Sequence, residues 1–306
     1  MKTLLDVLTS GTDYLARQGC DEARAIMQHL MAHVLHCNRT YLYSHFDQPL
    51  TETELAPLRL LIKRKATGEP LQHLMGSTEF FKRDFLTDAR ALIPRPETEE
   101  LVEHILDELK KEGTPPCHRI LDMGTGSGII GVTLAKELEN QSVEVVLADI
   151  SQAALSLALE NAMRLGAKVA TLQTDLFTAW QSSEHLNKFA NPAPFDLIVA
   201  NLPYIPNDEQ LAREVNFDPS TALYGGPLGW EIIERFLTDA PSFLSEEGFV
   251  ALEIGYDQAL TVTKLMTQLG YRDTRVLSDL NGIARFPFGK KPLVPHSEQD
   301  INTPTP

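Results

Sequence analysis

From Arg119 onward the chain alternates short apolar runs of β type with stretches of helical period, and this alternation constrains the fold more than any other feature. The runs are "RILDM", "VEVVLAD", "KVATLQ" and "FDLIVA", with helices from about Gly128 and through "SQAALSLALENAMRLG" separating the first three. A helical crossover returns the chain in the same direction, so such strands pair in parallel and the sheet is covered on both faces. Farther on come a helix around 229 to 244, the strand "GFVALEIG", a helix ending at Gly270, and the short strands "RDTRVLS" and "IARFPF". Ligands of open sheets of this kind lie beyond the carboxyl ends of the strands. The residues that follow each run therefore carry the functional question.

The first 70 residues read as helices. In "DEARAIMQHLMAHVL", Ile26, Met27, Leu30, Met31, Val34 and Leu35 fall close to one helical face. Thr51 and Glu54 have capping-box spacing, and Lys63, Arg64 and Lys65 suit a helix end before Gly68 and Pro70. Residues 71–94, "LQHLMGSTEFFKRDFLTDARALIP", lose the helical period and read as a hairpin linker; a helix then follows Pro96. A chain of 306 residues accommodates this helical domain and a second domain at 95–290, and the proline-rich segment 291–306 is expected to be a disordered tail.

Composition narrows the partners. A formal net charge of −15 disfavours sequence-independent contact with nucleic-acid phosphates. No apolar run reaches the length of a membrane span, and Asp6 and Asp13 interrupt any signal-like core, so a cytoplasmic protein is expected. The cysteines, Cys20, Cys37 and Cys117, lack metal-ligand spacing and read as packing residues. Two short basic clusters, Lys63 to Lys65 and Lys82 to Arg83, read as a solvated helix end and a turn, or as docking points for a ribosome-associated partner.

In "ILDMGTGSGIIG" the strand runs into Asp122, and Gly124, Thr125, Gly126, Ser127 and Gly128 lead into a helix. Glycines admit close approach of a ligand, and a helix amino end offers donors and a positive dipole. Gly126, Gly128 and Gly131 also match the spacing of a dinucleotide site, so a nicotinamide cofactor competes with S-adenosylmethionine here. Asp122 favours the second, since a carboxylate repels a pyrophosphate but suits water or a cationic amino group. Asp149, twenty-seven positions later at the next strand end, is placed for ribose hydroxyls, with Ile150 following it. Asp175, in "QTDLF" with Leu176, is placed to accept from an adenine amine.

The fourth run ends in Asn201, Leu202, Pro203 and Tyr204. A carboxamide at Asn201 can accept one hydrogen of a substrate NH2 group, and the Leu202 carbonyl the other, if Pro203 fixes the turn. Tyr204 can stack on a planar group. Together they form a clamp that turns a delocalised amide or aromatic amine toward a methyl donor.

Several segments together resemble the release-factor glutamine N5-methyltransferases: "GEPLQHLMGSTEFF", "LIPRPETEELVE", "ILDMGTGSGII", "LADIS", "FDLIVANLPYI", "ALYGGPLGWEII", "LEIGYDQ" and "DLNGIARF". The resemblance implies an α/β fold, a Rossmann-like class I methyltransferase domain with a mainly parallel seven-stranded sheet behind a small helical domain. It implies S-adenosylmethionine held by Gly124 through Gly128 and Asp149, with Arg95, Glu97 and Thr98 against the cofactor pocket. Asn201 to Tyr204 would bind the glutamine amide of the Gly-Gly-Gln motif in peptide chain release factors. Phe80 and Phe81 would line the pocket or belong to the core. The expected partner is the release factor, with no stable nucleic-acid complex, no membrane and a monomeric state.

The family usually has Asn-Pro-Pro-Tyr where this chain has Leu202. Asn-Leu-Pro-Tyr also resembles ribosomal RNA adenine dimethyltransferases, and a glutamine methyltransferase of a ribosomal protein is a nearer alternative. The segment "IPRPETE", the helical domain and the acidic charge favour the release-factor enzyme.

Overall fold

The structure, a computed structural model, describes residues 2–181 and 194–293; most of the expected tail lies outside the described residues. The chain forms two compact units, one of Met1–Pro94 with Glu209–Ala222, the other of Arg95–Asp208 with Leu223–Pro306.

The first unit holds helices α1 (Leu4–Arg17), α2 (Ala23–Val34), α3 (Arg39–Ser44) and α4 (Glu52–Ala66). Met27, Leu30 and Met31 of α2 are fully buried, and Ile26, Val34 and Leu35 pack at the edge of the same cluster. At the start of α4 the Glu54 carboxylate accepts from the Thr51 backbone N–H at 2.7 Å. Residues 71–94 are not wholly the hairpin that their lost periodicity suggests: they begin with helix α5 (Leu71–Met75), ended by Gly76 at φ 75°. Five residues are too few to show a 3.6-residue period. The hairpin itself pairs β1 (Ser77–Phe80) with β2 (Arg83–Leu86), and its two turn residues, Phe81 and Lys82, both have positive φ. Phe80 is buried edge-on to Phe85 at 5.9 Å.

The basic cluster at the end of α4 is not a wholly solvated helix end. Lys65 is 1% exposed, donates to the Glu69 carbonyl at 3.0 Å and pairs with Glu214. Glu214 belongs to the segment that leaves the second unit's sequence and joins the first. A buried ammonium needs such a partner, since an unpaired one is too costly to desolvate.

The second unit opens with α6 (Pro96–Leu109), whose proline sits at the first helical turn where its missing N–H has no consequence. Then follow β3 (Arg119–Met123), α7 (Ile129–Glu137), β4 (Glu144–Asp149), α8 (Gln152–Leu165), β5 (Ala170–Gln173), α9 (Thr178–Gln181) and β6 (Phe195–Asn201). Two short strands, β7 (Ile205–Pro206) and β8 (Tyr224–Gly226), pair in parallel. The chain ends with α10 (Glu231–Asp239), β9 (Leu244–Glu253), α11 (Ala259–Gln268), β10 (Arg272–Ser278) and β11 (Ala284–Lys290). The helix expected to reach 244 stops at Asp239 and continues as a 3-10 turn over Ala240–Phe243, because Pro241 cannot donate to the α ladder.

Seven strands form one sheet in the order β10-β11-β9-β6-β3-β4-β5. Strands β5, β4, β3, β6 and β9 run parallel, and β11 runs antiparallel to both its neighbours. The strand order reverses between β3 and β6. Two consecutive crossovers diverge there and open a crevice at the carboxyl ends. Behind it lies a core with Phe177 stacked on Phe243 at 4.6 Å.

Candidate active site

The glycine loop after β3 turns through three left-handed residues, Gly124 at φ 70°, Gly126 at 56° and Gly128 at 84°. Its backbone donors are nearly all committed. Gly124 and Thr125 donate to the Ala148 carbonyl at 2.8 and 3.0 Å, and Gly128 to Thr125 at 2.8 Å. Gly131 donates to Asp122 Oδ2 at 2.8 Å, where the Thr125 hydroxyl also donates at 2.6 Å. Gly126 donates to Asp149 Oδ2 at 2.9 Å. The Asp149 carboxylate thus occupies the Gly126 N–H that a pyrophosphate would need, which counts against the dinucleotide reading that spacing alone left open.

Asp122 is fully buried, and burial pushes its carboxyl up to about 6 despite the hydrogen bonds from Thr125 and Gly131. Among the described residues its Oδ1 has no hydrogen-bond partner, nor does the buried Ser127 hydroxyl. Asp149 is 9% exposed, its pKa also raised by burial, and its Oδ1 accepts from Ser151 N–H at 2.8 Å. Ile150 beside it is more than half exposed. Asp175 pairs with Arg235 at 3.0 Å, and Leu176 turns through φ 47° with its side chain buried.

Across the switch point, β6 ends at Asn201, which is in register with Glu253 at the end of β9. Thr98, in the first turn of α6, joins the two. Its hydroxyl donates to Glu253 Oε2 at 2.7 Å, and Asn201 Nδ2 reaches the same hydroxyl at 3.4 Å. Because Thr98 spends its proton on the carboxylate, only its lone pairs face Asn201, so the carboxamide must turn its NH2 group inward. Its oxygen is then the side that receives no hydrogen bond among the described residues.

The turn after Asn201 is held by its main chain. Gln258 donates to the Tyr204 carbonyl at 2.9 Å and to Gly229 at 3.3 Å, and Ile205 N–H donates to Leu223 at 3.0 Å. Gly225 of β8 lies against this turn so tightly that a Cβ there would sit 2.5 Å from the Pro203 carbonyl. Burial raises the Tyr204 phenol above its usual range, and Glu253 adds to the shift.

Comparison with known proteins agrees with this arrangement. Residues 6–76 match the PrmC N-terminal domain and residues 116–249 a methyltransferase domain. A release factor glutamine methyltransferase of Koribacter versatilis is 36% identical, covering 95% of this chain and 99% of its own. Those of Geobacter sulfurreducens and Bacillus subtilis are 37% and 36% identical, over 94% and 92% of this chain and 96% of each relative. The chain belongs to the release factor glutamine methyltransferases.

This family member carries Leu202 where proline is usual, and the structure shows what the leucine does. Its side chain is 4% exposed and faces Gly124, where a Cβ would stand 2.9 Å from Leu202 Cδ2. The leucine therefore packs the clamp onto the glycine loop, while its carbonyl accepts no hydrogen bond among the described residues. Of the predicted residues at the start of α6, Glu97 is half-buried and Thr98 is 1% exposed with its hydroxyl on Glu253 and Asn201. Glu253 and Gln258 were missed. A lone glutamate within the otherwise apolar run "FVALEIG" is the signal that could have found the first.

Asp149 joins the loop to the next strand end, which sets an expectation for its removal. Asp149→Ala takes away the acceptor of two backbone N–H groups and, with it, the carboxylate expected from the sequence to meet ribose hydroxyls. Dissociation of S-adenosylmethionine, measured by calorimetry, should weaken by roughly 10-fold to 100-fold, the value of one charged hydrogen bond. An unchanged constant would remove Asp149 from the cofactor site.

Proposed function

We propose that this protein transfers a methyl group from S-adenosylmethionine to the side-chain amide nitrogen of the glutamine in the Gly-Gly-Gln motif of peptide chain release factors. One observation carries the reading: Asn201 is oriented with its carboxamide oxygen free, beside a glycine loop whose own donors are taken by carboxylates. The unpartnered Asp122 Oδ1 and Ser127 hydroxyl fit a cofactor that brings a cationic amino group and hydroxyls, and Asp149 retains lone pairs for the ribose. S-adenosylmethionine supplies a methyl group on a positively charged sulfur.

An amide nitrogen is a poor nucleophile because its lone pair is shared with the carbonyl. Asn201 Oδ1 and the Leu202 carbonyl, each accepting one amide hydrogen, orient the NH2 group so that this lone pair, perpendicular to the amide plane, is aimed at the methyl group. The Tyr204 ring, held in place through its own carbonyl by Gln258, supplies the face on which the planar group rests. With the cofactor bound, an amide held this way would take the methyl group as the methyl–sulfur bond broke with its electron pair left on sulfur, and the nitrogen would shed one proton to water. Orientation carries most of the rate, since no strong base has to act first.

No helix among the described residues is long and apolar enough to cross a membrane. The reading places the protein in the cytoplasm, as a monomer that meets its release factor transiently. Intact-mass spectrometry of a purified release factor, incubated with this protein and S-adenosylmethionine, should show one added methyl. Fragmentation should place it on the Gly-Gly-Gln glutamine. Transfer only to a ribosomal protein or to unmethylated ribosomal RNA would overturn the substrate assignment.

A further inference from the structure

We propose that Glu253, acting through Thr98, is a positioning residue that locks the Asn201 carboxamide with its oxygen toward the acceptor. The inference rests on the proposed methyl transfer only for its kinetic arm. Glu253 is 2% exposed and stands in register with Asn201 across the β6–β9 pair. It takes the Thr98 hydroxyl proton at 2.7 Å, leaving Thr98 Oγ1 as an acceptor for Asn201 Nδ2 at 3.4 Å. An acceptor whose proton is already spent on Glu253 therefore stands behind the NH2 side, and the opposite flip would set the carboxamide oxygen against the lone pairs of Thr98 Oγ1. With the lock broken, the NH2 group can face the substrate, and an N–H then opposes an N–H.

The lock needs the carboxylate form. Burial, with Glu97 of α6 adding to it, raises the Glu253 carboxyl to about 7, while Thr98, Asn201 and Arg285 of β11 oppose the rise. The Tyr204 phenol feels the same carboxylate, which raises it, and Arg285 and Arg95, which lower it. Below about 7 Glu253 gains a proton, offers a donor where the cluster needs an acceptor, and the orientation is released. Turnover at saturating cofactor and acceptor should rise with pH through that region.

Two arms test the lock. The first needs no acceptor: in 15N-asparagine-labelled protein, the side-chain NH2 signals of Asn201, identified by their loss in Asn201→Ala, should shift with pH around neutrality. In Glu253→Gln the shift should vanish, and in Thr98→Val the resonance position should change at all pH values. The second is kinetic, on whichever acceptor the wild-type protein methylates, so that a wrong substrate shows in the wild type and a wrong lock only in the variants. Thr98→Val should lower kcat by roughly tenfold or more with KM for S-adenosylmethionine within about twofold, and Thr98→Ser should restore it. In an Asn201→Ala background Thr98→Val should cost nothing further. An NH2 signal that ignores pH in the wild type, or full additivity with Asn201→Ala, overturns the proposal. Should Glu253→Gln fail to fold, the Thr98 variants decide alone.

Discussion

Asn201→Ala is expected to lower the rate of methyl transfer on the order of a hundredfold, the usual effect of deleting one preorganised hydrogen bond to a reacting group. The side chain touches neither the glycine loop's hydrogen bonds nor the main-chain bonds that hold the turn, which run through Gln258 and Leu223. Its removal should leave the clamp's backbone and the affinity for S-adenosylmethionine nearly unchanged. The loss should appear in single-turnover rate. It should also be larger in kcat than in KM, because the acceptor is tilted only as the nitrogen approaches the methyl. Near-normal turnover would show that the amide is oriented by something else, and the clamp mechanism would fail.

The second large effect is on stability. Glu214→Ala should destabilise the first unit by about 3 kcal/mol, the lower end of the range for breaking a buried ion pair from one side. Among the described residues it leaves Lys65, 1% exposed, with the Glu69 carbonyl at 3.0 Å as its remaining partner. The lower end applies because the Glu214 side chain is itself 56% exposed and already shares its charge with water. Lys65→Met should be much milder: an unbranched apolar side chain fills the same channel, and the freed carboxylate is hydrated where it stands. Urea unfolding of the two variants and of the double variant checks this asymmetry. If Lys65→Met proves the worse of the pair, the burial of the ammonium is not what ties Glu209–Ala222 to the helices.

Much of the site was legible because its chemistry is written in short runs. Asp122, the glycines and Asp149 follow strand ends, and Asn201 to Tyr204 is a contiguous tetrapeptide, so local pattern and the rule for open sheets suffice to bring them together. What the runs could not show is which hydrogen bonds were already spent. The loop's spacing fits two cofactors; Asp122 tilts the choice from the chain, and the capture of the Gly126 N–H by Asp149 shows what the spacing could not. Likewise the resemblance implies Thr98 against the cofactor pocket, but nothing along the chain says that its hydroxyl lies between residues 103 and 155 positions away.

The sequence by itself determined the parallel sheet, the order of its strands' chemistry and the family, since periodicity and contiguous motifs are local properties. Tertiary structure decided the rest. The direction of the Asn201 carboxamide depends on the register of β6 with β9. The burial of Lys65 depends on a segment that follows it by almost 150 residues, the pair standing 149 positions apart. Desolvation and hydrogen-bond satisfaction are summed over neighbours in space, and no reading along the chain can add them before the fold has chosen those neighbours.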